Sequence, residues 1–138
     1  MSDNVFIDTN LLLYAASHTG SAKEDFARKW LVDTIDQHDV WISTQVMMEF
    51  SANLIKKAKV SPTAVQARLE VFQAFGIIRL GPEEVAEGLS WMTRASLSFW
   101  DACIVAAANR ANCSILFSED MQANRTFGSA RIVNPFQQ

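Results

Sequence analysis

Short apolar runs of strand length recur along the chain, most of them separated by enough residues for one or two helices. This alternation restricts the fold more than any other feature. The runs are Val5–Ile7, Val40–Ile42, Ile77–Leu80, Ser114–Phe117 and Arg131–Val133, rich in β-branched and aromatic residues and bounded by polar or turn residues. Between them lie helix-like segments with start and stop signals. Asn10 is placed to cap a short helix through Leu11 to Ala16, and a longer one from about Ala22 to Ile35 carries Phe26, Trp30 and Leu31 on one face. Ser43 or Thr44 can cap a helix whose stripe is Val46, Met47, Phe50 and Leu54. Pro62 opens a helix running to Phe75 that Gly76 stops, and Gly81 with Pro82 opens another. Ser98 begins a helix ending near Asn112, whose body ACIVAAA is apolar all round and suits tight packing against a sheet. Strands joined by crossovers of this length predict an α/β domain with a mostly parallel sheet. The 138 residues, 49% of them hydrophobic, suffice for one domain over residues 1–138 with a core that needs no disulfide or structural metal.

Charge and cysteine usage narrow the function classes. Acidic side chains outnumber basic ones 15 to 12, so a nucleic-acid partner would have to be held by local basic patches and not by global attraction. Cys103 and Cys113 lie in apolar surroundings without metal-ligand spacing and read as reduced, buried thiols, which favours a cytoplasmic location. The start MSDNVFIDTN has no basic leader region, and no apolar run approaches the ~20 residues that span a bilayer. No membrane partner is expected.

Four acids are candidates, none of them diagnostic singly, and Glu49, on the edge of an amphipathic helix where acids are usually solvated, has the strongest bland reading. Asp8 follows the buried run Val5–Ile7, where an ionised carboxylate is costly unless a cation or hydrogen-bond donors compensate it. A turn or cap is the bland account of such a residue, but Thr9 and Asn10 are available for that work. Asp101 completes an S-x-x-D capping box with Ser98, yet Ile104 and Val105 one turn on turn it toward the interior. Glu49 flanks an amphipathic stripe, and Asp120, or its neighbour Glu119, follows the Ser114–Phe117 run. Parallel sheets place their sites at the carboxyl ends of strands, and the first and fourth runs both end in acid there. Gathered carboxylates repel one another unless a hard divalent cation neutralises them. Two such ions, roughly 4 Å apart, can serve in-line attack of water on a phosphodiester, a chemistry that needs no histidine, cysteine or serine nucleophile.

The segments FIDTN with Asp8, TQVMMEF with Glu49, SFWDACIVAAA with Asp101, ILFSEDMQ with Asp120 and the closing RIVNPF together resemble the PIN domain family, and within it the VapC-type toxins. The resemblance runs over essentially the whole chain. It implies an α/β/α sandwich with a short parallel sheet and an endoribonuclease using Mg²⁺ or Mn²⁺. It makes Asp8, Glu49, Asp101 and Asp120 the metal-binding acids, with Asn10 and Ser118 supporting them. It further implies an RNA substrate, a homodimer, and a small antitoxin whose tail enters the active-site groove. The chain departs from the family pattern in having Trp100 where tyrosine or phenylalanine is frequent, and the adjacent acids Glu119 and Asp120 leave the fourth ligand open.

Other polar residues read as structural. His18 and His38 lack a second ligand at useful spacing. Lys56, Lys57 and Lys59 close the helix bearing Glu49, where cations sit well against the dipole, although the same cluster can grip phosphates. Trp30, Trp41, Trp91 and Trp100 are expected in the core or an interface. Two other functions fit the acids: an aspartyl-phosphate domain with Asp8 as nucleophile, which lacks a second acid at position 10, and a non-catalytic PIN-like module that binds RNA or protein.

Overall fold

Residues 3–137 are described by a computed structural model; Met1, Ser2 and Gln138, which belong to the expected domain span, lie outside the described residues. The strands are β1 (Asn4–Ile7), β2 (Asp39–Ser43), β3 (Gly76–Ile78), β4 (Ile115–Phe117), β5 (Thr126–Phe127) and β6 (Ala130–Val133). The helices are α1 (Thr9–Ala16), α2 (Ala22–Gln37), α3 (Thr44–Lys56), α4 (Pro62–Leu69), α5 (Pro82–Ala95) and α6 (Phe99–Arg110). One sheet holds all six strands in the order β3-β2-β1-β4-β6-β5, parallel except for β5.

This order fixes where a site can form. From β1 the chain steps outward through β2 to β3, then returns across the sheet to β4 on the other side of β1. Right-handed crossovers in opposite directions put α1–α4 on one face of the sheet and α5–α6 on the other. The packing agrees, because α1 contacts α2 and α3, whereas α5 pairs with α6. The direction reverses between β1 and β4, so the crevice of this sheet opens at their carboxyl ends. Helices on both faces also explain why Val5, Phe6 and Ile7 are all fully buried despite pointing alternately up and down.

Local deviations from the sequence expectations have identifiable causes. The helix from Pro62 does not run as one to Phe75. It tightens into a 3₁₀ turn over Glu70–Ala74, in which residues three apart eclipse, so Phe72 and Phe75 both enter the core with ring centroids 5.7 Å apart. Gly76 is the first residue of β3 and not merely a helix stop. A Cβ there would lie 2.4 Å from the Trp41 indole, so the bare glycine is what lets the ring lie against the strand.

The structure also refines where other segments and side chains lie. The polar stretch 118–129 contains β5, which pairs antiparallel with β6 across Gly128 and Ser129. Its two residues carry no periodicity, and its position depends on Asn109 of α6, whose amide nitrogen donates to Phe127 O (3.0 Å) and whose oxygen accepts from Ser129 N (2.9 Å). Of the tryptophans expected in the core or an interface, Trp100 lies outside the core at 62% exposed, and Phe26 is 44% exposed because α2 turns Ala27 and Thr34 inward instead. The side of a helix that meets the sheet is set by the tertiary crossover, which apolar spacing alone does not define.

Cys103 and Cys113 are free and buried, as expected. Burial raises both thiol pKa values, that of Cys113 to about 12, so neither presents a thiolate near neutral pH. Iodoacetamide at pH 8 is therefore expected to leave both unmodified in the native protein and to label both in urea, read by intact mass. Labelling of Cys113 under native conditions would contradict its placement. Among the described residues no helix is long and apolar enough to cross a membrane.

Candidate active site

The register of β1 against β4 builds the first half of the site. Ile7 pairs with Phe117, so the next residues, Asp8 and Ser118, emerge side by side, and the Ser118 hydroxyl donates to Asp8 Oδ2 at 2.9 Å. Asp8 is also the N-cap of α1: its Oδ1 accepts from the backbone N–H of Thr9 at 2.8 Å. The cap thus falls to Asp8 and not to Asn10, because helical geometry already begins at Thr9. Capping and a place in the crevice are both filled by one carboxylate, so they are not alternatives here.

The first turn of α1 then distributes contacts around the crevice. Thr9 Oγ1 donates to Glu49 Oε1 at 2.8 Å, and Asn10 Nδ2 donates to Asp120 Oδ2. Glu49 is carried in by α3, which starts directly off the carboxyl end of β2 with the Ser43 hydroxyl accepting from Val46 N. Asp101 arrives on the first turn of α6 from the opposite face of the sheet. There the capping box is only half made: Ser98 Oγ accepts from Asp101 N at 3.2 Å, with no return bond from the carboxylate to the Ser98 backbone, which leaves that carboxylate turned to the crevice.

A small cleft of about 120 Å³ is lined by Asp8, Thr9, Asn10, Gln45, Glu49, Asn53, Asp101, Ile104 and Asp120. The four predicted acids therefore come together, although they are spread over more than a hundred positions in sequence. Ser118 is fully buried beneath Asp8, and Asn10 stands beside Asp120. Glu119 is directed elsewhere: it pairs with Lys23, whose ammonium lies 4.9 Å from the Tyr14 ring centroid and 4.7 Å from that of Phe136. The chain bends directly after β4, with Met121 N donating to Ser118 Oγ at 3.3 Å, and the two acids leave this bend toward different partners.

The electrostatics follow from crowding like charges in a partly dry crevice. Burial pushes the Asp8 carboxyl up to about 6; its bonds from Thr9 N–H and Ser118 oppose this, and the charges of Asp101 and Glu49 add to it. Asp101 is raised as well, first by burial and then by Asp120, with Ser98 acting the other way. Each of these acids senses another from a different element.

Three lining residues were not singled out from the sequence: Thr9 for its bond to Glu49, Gln45 and Asn53. A signal was present, since Gln45, Glu49 and Asn53 are spaced i, i+4, i+8 and make a polar stripe beside the apolar stripe of α3. Gln45 is 2% exposed. Its Nε2 donates to Trp100 O at 3.1 Å, which orients the amide because a carbonyl can only accept. Its Oε1 is left buried without a partner.

Sequence comparison agrees with the geometry. The PIN domain family model matches residues 5–127, a span that includes all four acids. The chain belongs to the PIN domain family. The PIN fold is also seen in solved structures. A toxin-antitoxin complex from Klebsiella pneumoniae superposes with a TM-score of 0.73 at 19% identity, covering 97% of this chain and 99% of that one. VapBC2 from Rickettsia felis, bound to a DNA fragment from its promoter, gives 0.69 at 16% identity with 95% and 98% covered. VapC20 of Mycobacterium tuberculosis, described as a sarcin-ricin loop cleaving toxin, gives 0.66 at 17% identity with 81% and 86% covered. No curated protein matches the sequence.

A divalent cation fits the donor set of this PIN domain in a particular way. Among the described residues no three His, Cys, Asp or Glu side chains converge closely enough to enclose an ion by themselves. The cleft is nevertheless bounded by hard oxygen acceptors. Mg²⁺ ordinarily keeps several waters and takes only one or two carboxylates directly, which this open arrangement allows. The orphaned Gln45 oxygen and the high Asp8 pKa are both deficits that positive charge or its water shell would relieve.

Proposed function

We propose that this PIN domain is a metal-dependent endoribonuclease, a VapC-like toxin of a toxin-antitoxin pair. The observation that carries this reading is the meeting of Asp8, Glu49, Asp101 and Asp120 in one cleft at the switch point of a parallel sheet. Those four acids would hold Mg²⁺ or Mn²⁺, and the ion when bound supplies Lewis acidity to a phosphodiester oxygen and a lowered pKa for the attacking water.

The chain's own residues have separable tasks. Asp8 is fixed by the Thr9 N–H and the Ser118 hydroxyl, so its two oxygens are aimed before any ligand arrives. Thr9 orients Glu49, and Asn10 orients Asp120, tying both acids to the first turn of α1. Asp101 on α6 and Glu49 on α3 approach the cleft from opposite faces of the sheet, so an ion held there would have carboxylate on both sides.

An RNA substrate, an antitoxin partner, a homodimer and a cytoplasmic location belong to the same proposal. Their support is the resemblance to VapC-type proteins and the toxin-antitoxin descriptions of the structural neighbours. The test uses purified protein with end-labelled single-stranded and stem-loop RNAs. Cleavage is expected with Mg²⁺ or Mn²⁺ and is expected to stop on chelation. Divalent-ion binding without cleavage of any RNA would instead indicate a non-catalytic module.

A further inference from the structure

The polar stripe of α3 does not end at the cleft. Gln45, Glu49 and Asn53 line it, and the next turn of the same face presents Lys56 and Lys57, seven and eight residues beyond Glu49. At 1.5 Å per residue this places them about 10 Å along the helix axis from that acid. Lys59 follows just past the helix end. All three are exposed, and among the described residues none of them is ion-paired.

The helix dipole accounts for Lys56 and Lys57, because cations are favoured in a last turn. It does not account for Lys59, which lies outside the helix with φ of 58°, in the left-handed region that glycine occupies most cheaply. The chain reverses at that residue, with Val60 N donating to Leu54 O at 3.0 Å, and glycine would serve the reversal better. A side chain kept at a strained position is a sign that the side chain has a use.

We infer that Lys56, Lys57 and Lys59 form a phosphate-binding track for the RNA strand, leading away from the cleft along the end of α3. This rests on the nuclease reading above and extends it from the scissile bond to the path of the substrate. A chain of net charge -3 with an acidic cleft repels RNA unless cations stand close to the cut. Lys56 and Lys57 at the end of α3, with Lys59 just past it, are cations unpaired among the described residues that begin one turn beyond the cleft-lining Asn53.

The test is the salt dependence of RNA binding in chelating buffer, where binding is read without cleavage. A fluorescent single-stranded 20-mer of mixed sequence serves as probe, with wild type, the triple variant Lys56→Gln, Lys57→Gln, Lys59→Gln, and the single variant Lys59→Gly. Each phosphate contact on a single strand contributes about 0.7 to the slope of log affinity against log salt. The triple variant is expected to lose about 2 from that slope, so a fourfold rise in salt costs the wild type roughly twentyfold more affinity than the variant. Lys59→Gly is expected to lose about 0.7 while melting at a higher temperature than wild type, a combination that a purely structural lysine would not give. Circular dichroism melts of the glutamine variant establish that it is folded. An unchanged slope in either variant, or no RNA binding by the wild type, overturns the track. Metal-dependent cleavage with an unchanged slope would remove the track alone. A slope that falls as expected without any cleavage would remove the nuclease reading alone.

Discussion

Asp8→Asn is expected to abolish RNA cleavage, by on the order of 10² to 10³, and at the same time to make the ion-free protein more stable at neutral pH. The two effects have one origin. A carboxylate whose folded-state pKa is about 6, against an ordinary value of 3.8, is held in its charged form at a cost. Below about pH 4 both folded and unfolded chains carry the proton and the cost vanishes. Between pH 4 and 6 the unfolded chain ionises first, so stability falls as pH rises, and above pH 6 the full penalty remains. Two pKa units correspond to on the order of 2 to 3 kcal/mol at pH 7. Asparagine removes the charge and keeps an oxygen for the Thr9 N–H, so urea midpoints of wild type and variant should coincide near pH 4 and diverge toward pH 7. Cleavage at the wild-type rate would dismiss the role of Asp8. An inactive variant that is less stable than wild type at pH 7 would dismiss the electrostatic account of it.

The neighbouring acids Glu119 and Asp120 are expected to behave in opposite ways. Asp120 lines the cleft beside Asn10, and Asp120→Asn should lower cleavage tenfold or more with little change in melting. Glu119 is engaged by Lys23 against Tyr14 and Phe136, so Glu119→Gln should keep cleavage within about threefold of wild type and lose about 1 kcal/mol of stability from a partly exposed pair. The pKa of the Tyr14 hydroxyl is raised, by burial first and then by its hydrogen bond to Glu119 and that carboxylate's charge, with Lys23 opposing. A spectrophotometric titration of Tyr14, the single tyrosine, should therefore move down in Glu119→Gln and stay in place in Asp120→Asn. Equal losses of cleavage in both variants would return the fourth acid to ambiguity.

Much of the fold was legible because it depends on local chemistry. Ser43 caps α3, Pro82 opens α5 and the run Val5–Ile7 is a central strand, each as residue types and spacing predict. Asp8 stood out for a related reason, because a charged residue at the end of a buried apolar run conflicts with its surroundings, whereas Glu49 and Asp120 were unremarkable singly and gained weight only from the set and the motifs around them. Thr9, Gln45 and β5 were less visible. A threonine in a first turn, a glutamine on a helix and two residues of strand agree with many local structures, and only their distant partners give them meaning.

By itself the sequence determined most element types and the parallel α/β class, since these follow from periodicity and capping, and it offered the acids as candidates whose joint role rested on a family resemblance. Tertiary structure alone decided that Asp8 both caps α1 and enters the cleft, that Asp120 and not Glu119 faces it, and that Gln45 keeps an unanswered oxygen there. Those outcomes depend on the register of β1 against β4 and on which side of the sheet each crossover lies. Register and handedness are relations between segments far apart in the chain, and no local propensity encodes them.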